Sequence, residues 1–563
     1  MRIFLAVLIS MTIAGPAAGQ AKPAVADVIF IHGNIYPGAS TTFSQADSQT
    51  QSMNRFQAIA VSGGRVMDVG ANETMLKLKR PHTRVIDLGG RFVMPGFNDA
   101  HTHLANGGFE KLNVNLVGSK SLEEMKQRIA ARAKATGPGE WLIGRGWDHT
   151  LWTNQTLPDR HDLDAVTAGH PAIFVRVDGH IAVASSAALK AMKITAQTPD
   201  PQGGKIDHEA GGGPSGILRE TAKDRVLARL PRPTPAQRRK AAKLALQDAA
   251  QWGLTSAQDN SDWEDFLVFE ELEKEGKLTL RISEWLAFDT SVEQLKQMRA
   301  HHRADDRMLH TGMLKGYMDG SLGSRTAAML APYTDDPENS GLARYDQETL
   351  NRMAAERAQA GFQIGFHAIG DRGARMALDA FAYAEKQSSR ANLRFRIEHD
   401  QVLAKEDIQR FASLGVIASM QANHLLTDMN WAESRIGPER AKHSYPWKEF
   451  LYYGAPLAFG TDYPVEPITP FRGLYAAVTR KNPQGTKEYY PEQKLTIDEA
   501  IAAYTTTAAR AEFAEEYKGT LAPGMVADFV VLDRDITRIE PAEILKTKVL
   551  RTVLGGKTVY EAK

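Results

Sequence analysis

Val93-Met-Pro-Gly-Phe-Asn-Asp-Ala-His-Thr-His103 decides how this chain is read. A short apolar run meets a Pro-Gly break, and two histidines follow two residues apart. Residues i and i+2 of an extended strand face the same side, so His101 and His103 present two imidazoles to one point. Two convergent neutral imidazoles are the start of a transition-metal site. In a chain with 16 histidines such a pair also arises by chance, so the rest of the sequence has to carry the argument.

At 563 residues the chain exceeds one ordinary compact core, which predicts several domains or one large barrel with additions. A composition of 43% hydrophobic and 24% charged residues is that of a soluble globular protein. The net charge of +1 offers no field to attract nucleic acid, and the basic cluster Arg238-Arg-Lys240 with Lys243 reads as a solvated helix face. Cysteine is absent, which excludes disulfides, thiolate metal sites and thiol nucleophiles, so any metal must be held by nitrogen and oxygen. Residues 1–20 read as a secretory signal: Arg2, an apolar stretch from Ile3 to Ala14 too short to span a bilayer, then small residues from Gly15 to Ala21. The mature chain is therefore expected across the inner membrane, in the periplasm, with no membrane contact once the signal is removed.

Short strands at Asp27–Tyr36 and Phe56–Met67, and again at Ala527–Asp533 and 549–560, predict a small β-domain assembled from both chain ends. Between them strand-like and helix-like segments alternate. Thr234-Pro-Ala-Gln237 carries an N-cap, a proline at N1 and a glutamine at N3, and opens a helix that ends near Gly253. Strand candidates follow at Leu254–Asp259, Leu278–Ala287, Met313–Met318, Gln363–His367, Phe395–His399, Val416–Gln421 and Pro456–Asp462. Alternation of this kind predicts α/β architecture with a parallel sheet, and about eight strands favour a (β/α)8 barrel whose chemistry sits at the C-terminal strand ends.

Those ends carry His101, His103, His367, His399 and Asp462, and Lys315 lies inside another strand. Singly each has a structural reading: a hydrogen-bonded core histidine, a capping aspartate, a lysine that snorkels to water. Their joint order and placement match one geometric requirement, a shared cation.

The chain resembles metal-dependent amidohydrolases, specifically the amidohydrolase-3 or YtcJ-like branch that includes N-substituted formamide deformylases. The matching words are Met94 to His103, Asp178-Gly-His180, Gly216-Ile-Leu-Arg-Glu220, Asp319 to Ala327, His367-Ala-Ile-Gly-Asp371, Arg396-Ile-Glu-His399, Ser419-Met-Gln421, Gly460-Thr-Asp462 and Gly519 to Asp528. They cover nearly the whole mature chain. One departure stands out: Met420-Gln-Ala-Asn-His424 lacks the proline that relatives often carry in this loop.

The resemblance implies a distorted TIM barrel over 93–515, a β-sandwich from 21–92 and 516–563, and an insertion of about 105–250 after the first barrel strand. It also implies that His101, His103, His367, His399 and Asp462 hold one or two divalent ions. Zinc is the expected metal, and iron, manganese, cobalt and nickel are compatible with such donors. Lys315 matches the lysine that, in binuclear members, is carboxylated and bridges two metals.

Asp462 is the candidate to accept the proton of the attacking water and pass it to the departing amine. His180 and His424 are candidates to stabilise the oxyanion or grip substrate. Glu220 and Arg325 either orient substrate or form structural ion pairs. Trp147, Asp148 and Trp152 lie in the insertion, which is expected to cover the barrel mouth and shape an apolar pocket. The expected reaction is hydrolysis of a non-peptide carbon–nitrogen bond in a small amide or formamide. Ester, lactone or phosphotriester hydrolysis is the alternative, deamination a third, and a catalytically silent binding protein the non-enzyme reading; a homo-oligomeric assembly is left open. Fractionation of expressing cells should recover the chain outside the cytosol and shortened near residue 20; a full-length cytosolic product would contradict the signal.

Overall fold

The computed structural model describes residues 25–41, 50–52, 54–303 and 305–563, so the signal segment lies outside the described residues. Eight parallel strands form the central sheet: β1 (Phe97–Thr102), β2 (Leu254–Asp259), β3 (Arg281–Ala287), β4 (Leu309–Tyr317), β5 (Ile364–Ala368), β6 (Arg396–His399), β7 (Ile417–Met420) and β8 (Leu457–Phe459). Each pairs with its sequence neighbour. Every residue of β1, β2, β6, β7 and β8 is buried, as a parallel sheet packed on both faces requires.

The sheet curls until β8 meets β1. The Asp462 amide donates to the His101 carbonyl at 2.8 Å, and the His103 amide to the Tyr463 carbonyl at 2.8 Å. Gly460 permits this approach, because a Cβ there would lie 2.4 Å from the His101 nitrogen. Closure thus brings the first and last site residues together.

The decisive stretch divides at its glycine. Phe92–Pro95 is a strand of the terminal sandwich, antiparallel to Phe529–Leu532, and the barrel begins at Phe97. The sandwich packs a sheet of Arg65–Gly70, Ala58–Ser62, Val28–Ile31 and Arg84–Asp87 against one of Asn34–Ile35, Phe92–Pro95, Phe529–Leu532, Val549–Leu554 and Lys557–Glu561. Phe30 meets Phe529 edge to face at 4.9 Å in their shared core.

Between β1 and β2 the chain builds a separate six-stranded sheet, from Val114–Asn115 to Pro214–Glu220, with apolar clusters of its own. Helix Pro235–Gln251 opens on the Thr234 capping box with proline at its start, as its sequence predicts. It lies inside the span expected for the insertion, yet Ala242, Ala245, Leu246 and Ala249 join the main barrel core. It is the crossover helix that feeds β2.

Sandwich and barrel are joined by a buried ion pair. Arg281 of β3 donates to Asp528 through Nε at 2.6 Å and Nη2 at 3.0 Å. Both side chains are under a tenth exposed. Removing one partner strands a charge, so Asp528→Asn should cost about 3–5 kcal/mol in denaturant unfolding, whereas replacing both residues by apolar ones should cost far less.

Candidate metal centre

The sequence-predicted residues converge at the C-terminal ends of the barrel strands. His101 is the penultimate residue of β1, and His103 follows it. Lys315 lies in β4, His367 in β5, His399 at the end of β6, and Asp462 just beyond β8. Ring centroids of His101 and His103 are 5.5 Å apart, those of His101 and His399 4.9 Å, and those of His367 and His399 4.4 Å. Ligand atoms of His101, His103 and Asp462 lie within 4.8 Å of one another, as do those of His399, His424 and Asp462. His399 (φ 82°) and Asp462 (φ 57°) both hold left-handed backbone, which costs energy in non-glycine residues and is common where function demands a side-chain direction.

Hydrogen bonds fix which nitrogen of each ring is free. Glu398 accepts from His101 Nδ1 at 2.8 Å. The Asn260 carbonyl accepts from His103 Nδ1 at 2.9 Å, and the Gly320 carbonyl from His367 Nε2 at 3.0 Å. A carbonyl can only accept, so the proton sits on that nitrogen and the other presents a lone pair. Burial lowers His367 to about 4, helped by the Lys315 charge, and lowers His101 and His399 well below the usual imidazole range.

These lone pairs meet a carboxylate. His103 Nε2 lies 3.2 Å and His101 Nε2 3.6 Å from Asp462 Oδ1, which makes no hydrogen bond; buried His399 Nδ1 makes none either. Acceptors facing acceptors out of water are unfavourable unless a cation lies between them. Neutral imidazoles with a carboxylate are a donor set suited to a divalent transition metal, so the residues fit the group that the sequence implies. Lys315 is buried, its Nζ 3.3 Å from His101 Nε2, and desolvation lowers its pKa to about 8. Among the described residues no carboxylate forms an ion pair with it.

His424 differs from the other rings. The Gln401 amide donates to its Nδ1 at 3.3 Å, which leaves the proton on Nε2, 3.6 Å from Asp462 Oδ2. It therefore offers a donor where the others offer lone pairs.

His180 is not part of this cluster. It sits in the inserted sheet with its side chain 65% exposed, and its Nδ1 pairs with Glu220 at 3.0 Å. It falls just beyond an antiparallel turn, which points it to water. Arg325 pairs with Asp335 through both oxygens, and Asp148 with Arg176. Trp147 and Trp152 are buried in the insertion's own core, where their indole N–H groups donate to the Phe174 and Ser119 carbonyls. A small six-stranded sheet needs its aromatic residues for itself. The expected lining by the insertion is thus corrected: the cavity of about 480 Å³ over the histidines is walled by Leu322, Ile369, Asp428, Trp431 and Val465, from loops after β4, β5, β7 and β8. Larger cavities of about 730 and 840 Å³ lie under the sandwich and beside the insertion, and neither holds these histidines.

Glu398 and Arg396 were legible only as part of a motif. Arg396 is wholly buried and donates to Glu398 Oε1 at 2.8 Å, to the Ala100 carbonyl at 2.9 Å and to Ser419 Oγ at 2.7 Å. A charged pair at i and i+2 around Ile397, set between Phe395 and His399, is the signal that marks it. Glu398 holds the imidazole tautomer of His101, so Glu398→Gln should lower metal affinity about tenfold to hundredfold in chelator competition, with the fold retained.

The model of the Amidohydrolase family matches residues 84–560. The chain is 32% identical to the Bacillus subtilis protein YtcJ over 90% of this chain and 96% of that one. It is 27% identical to the N-substituted formamide deformylase of Arthrobacter pascens, over 90% and 95% respectively. Among solved structures, an uncharacterized metal-dependent hydrolase from Pyrococcus furiosus superposes with a TM-score of 0.75 at 28% identity, covering 91% of this chain and all of that one. With its eight-stranded barrel and its strand-end histidines, this chain belongs to the Amidohydrolase family.

Proposed function

We propose that this protein hydrolyses a carbon–nitrogen bond other than a peptide bond in a small amide or formamide. The observation that carries the reading is the meeting of His101 and His103 lone pairs on an Asp462 oxygen without a hydrogen bond. The similarity to a formamide deformylase supports the bond class. His101, His103, His367, His399 and Asp462 would hold a divalent ion, zinc first, and a carboxylated Lys315 would help to hold a second. Such an ion brings the pKa of bound water down to about 7 and polarises a carbonyl.

The chain's own groups do the rest. Asp462, beside the attacking water, accepts its proton and returns it to the leaving nitrogen. His424 Nε2–H, its ring oriented by Gln401, donates to the substrate oxygen as negative charge develops there. The apolar walls at Leu322, Ile369 and Val465 exclude water and strengthen both interactions. Lys315, a buried amine that forms no ion pair with a carboxylate among the described residues, would add CO2: its nitrogen bonds the carbon, one proton leaves, and a carbamate anion remains. The apolar leader at Ile3–Ala14 supports export to the periplasm as the place of action.

Asp462→Asn should reduce turnover of N-formyl and N-acyl substrates about 10²–10⁴-fold while the protein folds normally. Kinetics and elemental analysis on the same preparation check this. Substantial remaining activity would remove Asp462 from its role, and full activity after exhaustive chelation would remove the metal.

A further inference from the structure

The wall of the cavity over the histidines carries a carboxylate that the proposed hydrolysis does not use. Asp428 ends the helix Leu425–Asp428, one turn beyond His424, and is 8% exposed. Its Oδ2 accepts from the Tyr445 hydroxyl at 2.5 Å, and Tyr445 is itself buried, so the carboxylate is fixed in place. Its Oδ1 makes no hydrogen bond among the described residues, and no lysine or arginine there pairs with it. Asp428 lines the same cavity as the histidines.

Burying a carboxylate without a counter-ion is expensive, so a chain that keeps one at the wall of a ligand cavity invites a cation from outside. Its surroundings say what kind. Trp431, three residues on, adds aromatic surface to the cavity wall beside it, with the Arg435 guanidinium 5.8 Å from its ring centroid. Leu322, Ile369 and Val465, lining the same cavity, supply apolar contact for a stem. The second acid of this wall, Glu466, is already engaged by Thr427 Oγ1 at 2.7 Å and by Arg472 at 3.5 Å. One free carboxylate oxygen beside an aromatic ring suits a protonated amine, whereas a divalent ion needs several such ligands.

We infer that Asp428 and Trp431 form a subsite for a protonated amine at the far end of the substrate, so that the preferred substrates are amides bearing a cationic tail on an apolar stem. This rests on the proposed carbon–nitrogen hydrolysis. The test uses the metal-loaded protein and a homologous series of N-formyl alkylamines ending in ammonium, hydroxyl or methyl. The ammonium member of matched length should exceed the methyl member by roughly tenfold or more in kcat/KM, chiefly through KM. Asp428→Asn should collapse that ratio, with circular dichroism confirming the fold. Calorimetric titration with an alkane diamine and the matching monoamine should show the same order of affinity in the absence of any reaction. Equal kcat/KM for ammonium and methyl substrates in the unmodified protein would overturn the subsite, as would a preference that survives Asp428→Asn. If no formamide is turned over, the hydrolysis reading fails, and the diamine titration then decides the subsite alone: a diamine bound no more tightly than the monoamine overturns it.

Discussion

The constraint on which this structure turns is electrostatic. Imidazole nitrogens stripped of their protons face a carboxylate oxygen inside the barrel, within 3.2–3.6 Å and out of water. Each ring has already given its proton to a partner behind it, Glu398 for His101, the Asn260 carbonyl for His103 and the Gly320 carbonyl for His367, and Lys315 Nζ reaches His101 Nε2 at 3.3 Å while Asp462 Oδ1 is left without a hydrogen bond. The cluster is preorganised for a positive charge beyond the one that Lys315 brings.

The fold supplies the convergence. Residues more than 350 positions apart become neighbours because β8 closes onto β1, and that closure passes through Gly460, where no side chain fits. Behind the cluster, Arg396 ties β6 to β1 and β7 in a wholly buried network that holds the His101 ring through Glu398, while His103 and His367 lean on the Asn260 and Gly320 carbonyls just beyond the strand ends. The loops are left to shape the cavity. This division of labour, with a rigid scaffold below and variable walls above, is the usual logic of a TIM barrel.

Much of this was legible in the sequence. Apolar runs that end in His or Asp marked strands and site together, since burial on both faces of a parallel strand forbids such residues anywhere but at its mouth unless they are paired. His101, His103, His367, His399 and Asp462 were placed on that ground, and the structure brings them together. The capping box at Thr234 marked its helix for an equally local reason. What escaped was whatever depends on tertiary partners. Trp147 reads as a cavity residue until the insertion proves to have its own core, and His180 reads as a site histidine until the turn that carries it points it to solvent. Glu398 and Asp428 carry no local signature of their roles, because those roles are defined by what lies across the barrel from them.

The most direct measurement is anomalous diffraction at the metal edge from crystals of the metal-loaded protein. The account predicts a peak about 2.0–2.2 Å from His101 Nε2, His103 Nε2 and Asp462 Oδ1, with His424 Nε2 outside coordination distance. A peak centred elsewhere, or these three atoms hydrogen-bonded to one another with no ion between them, would contradict it.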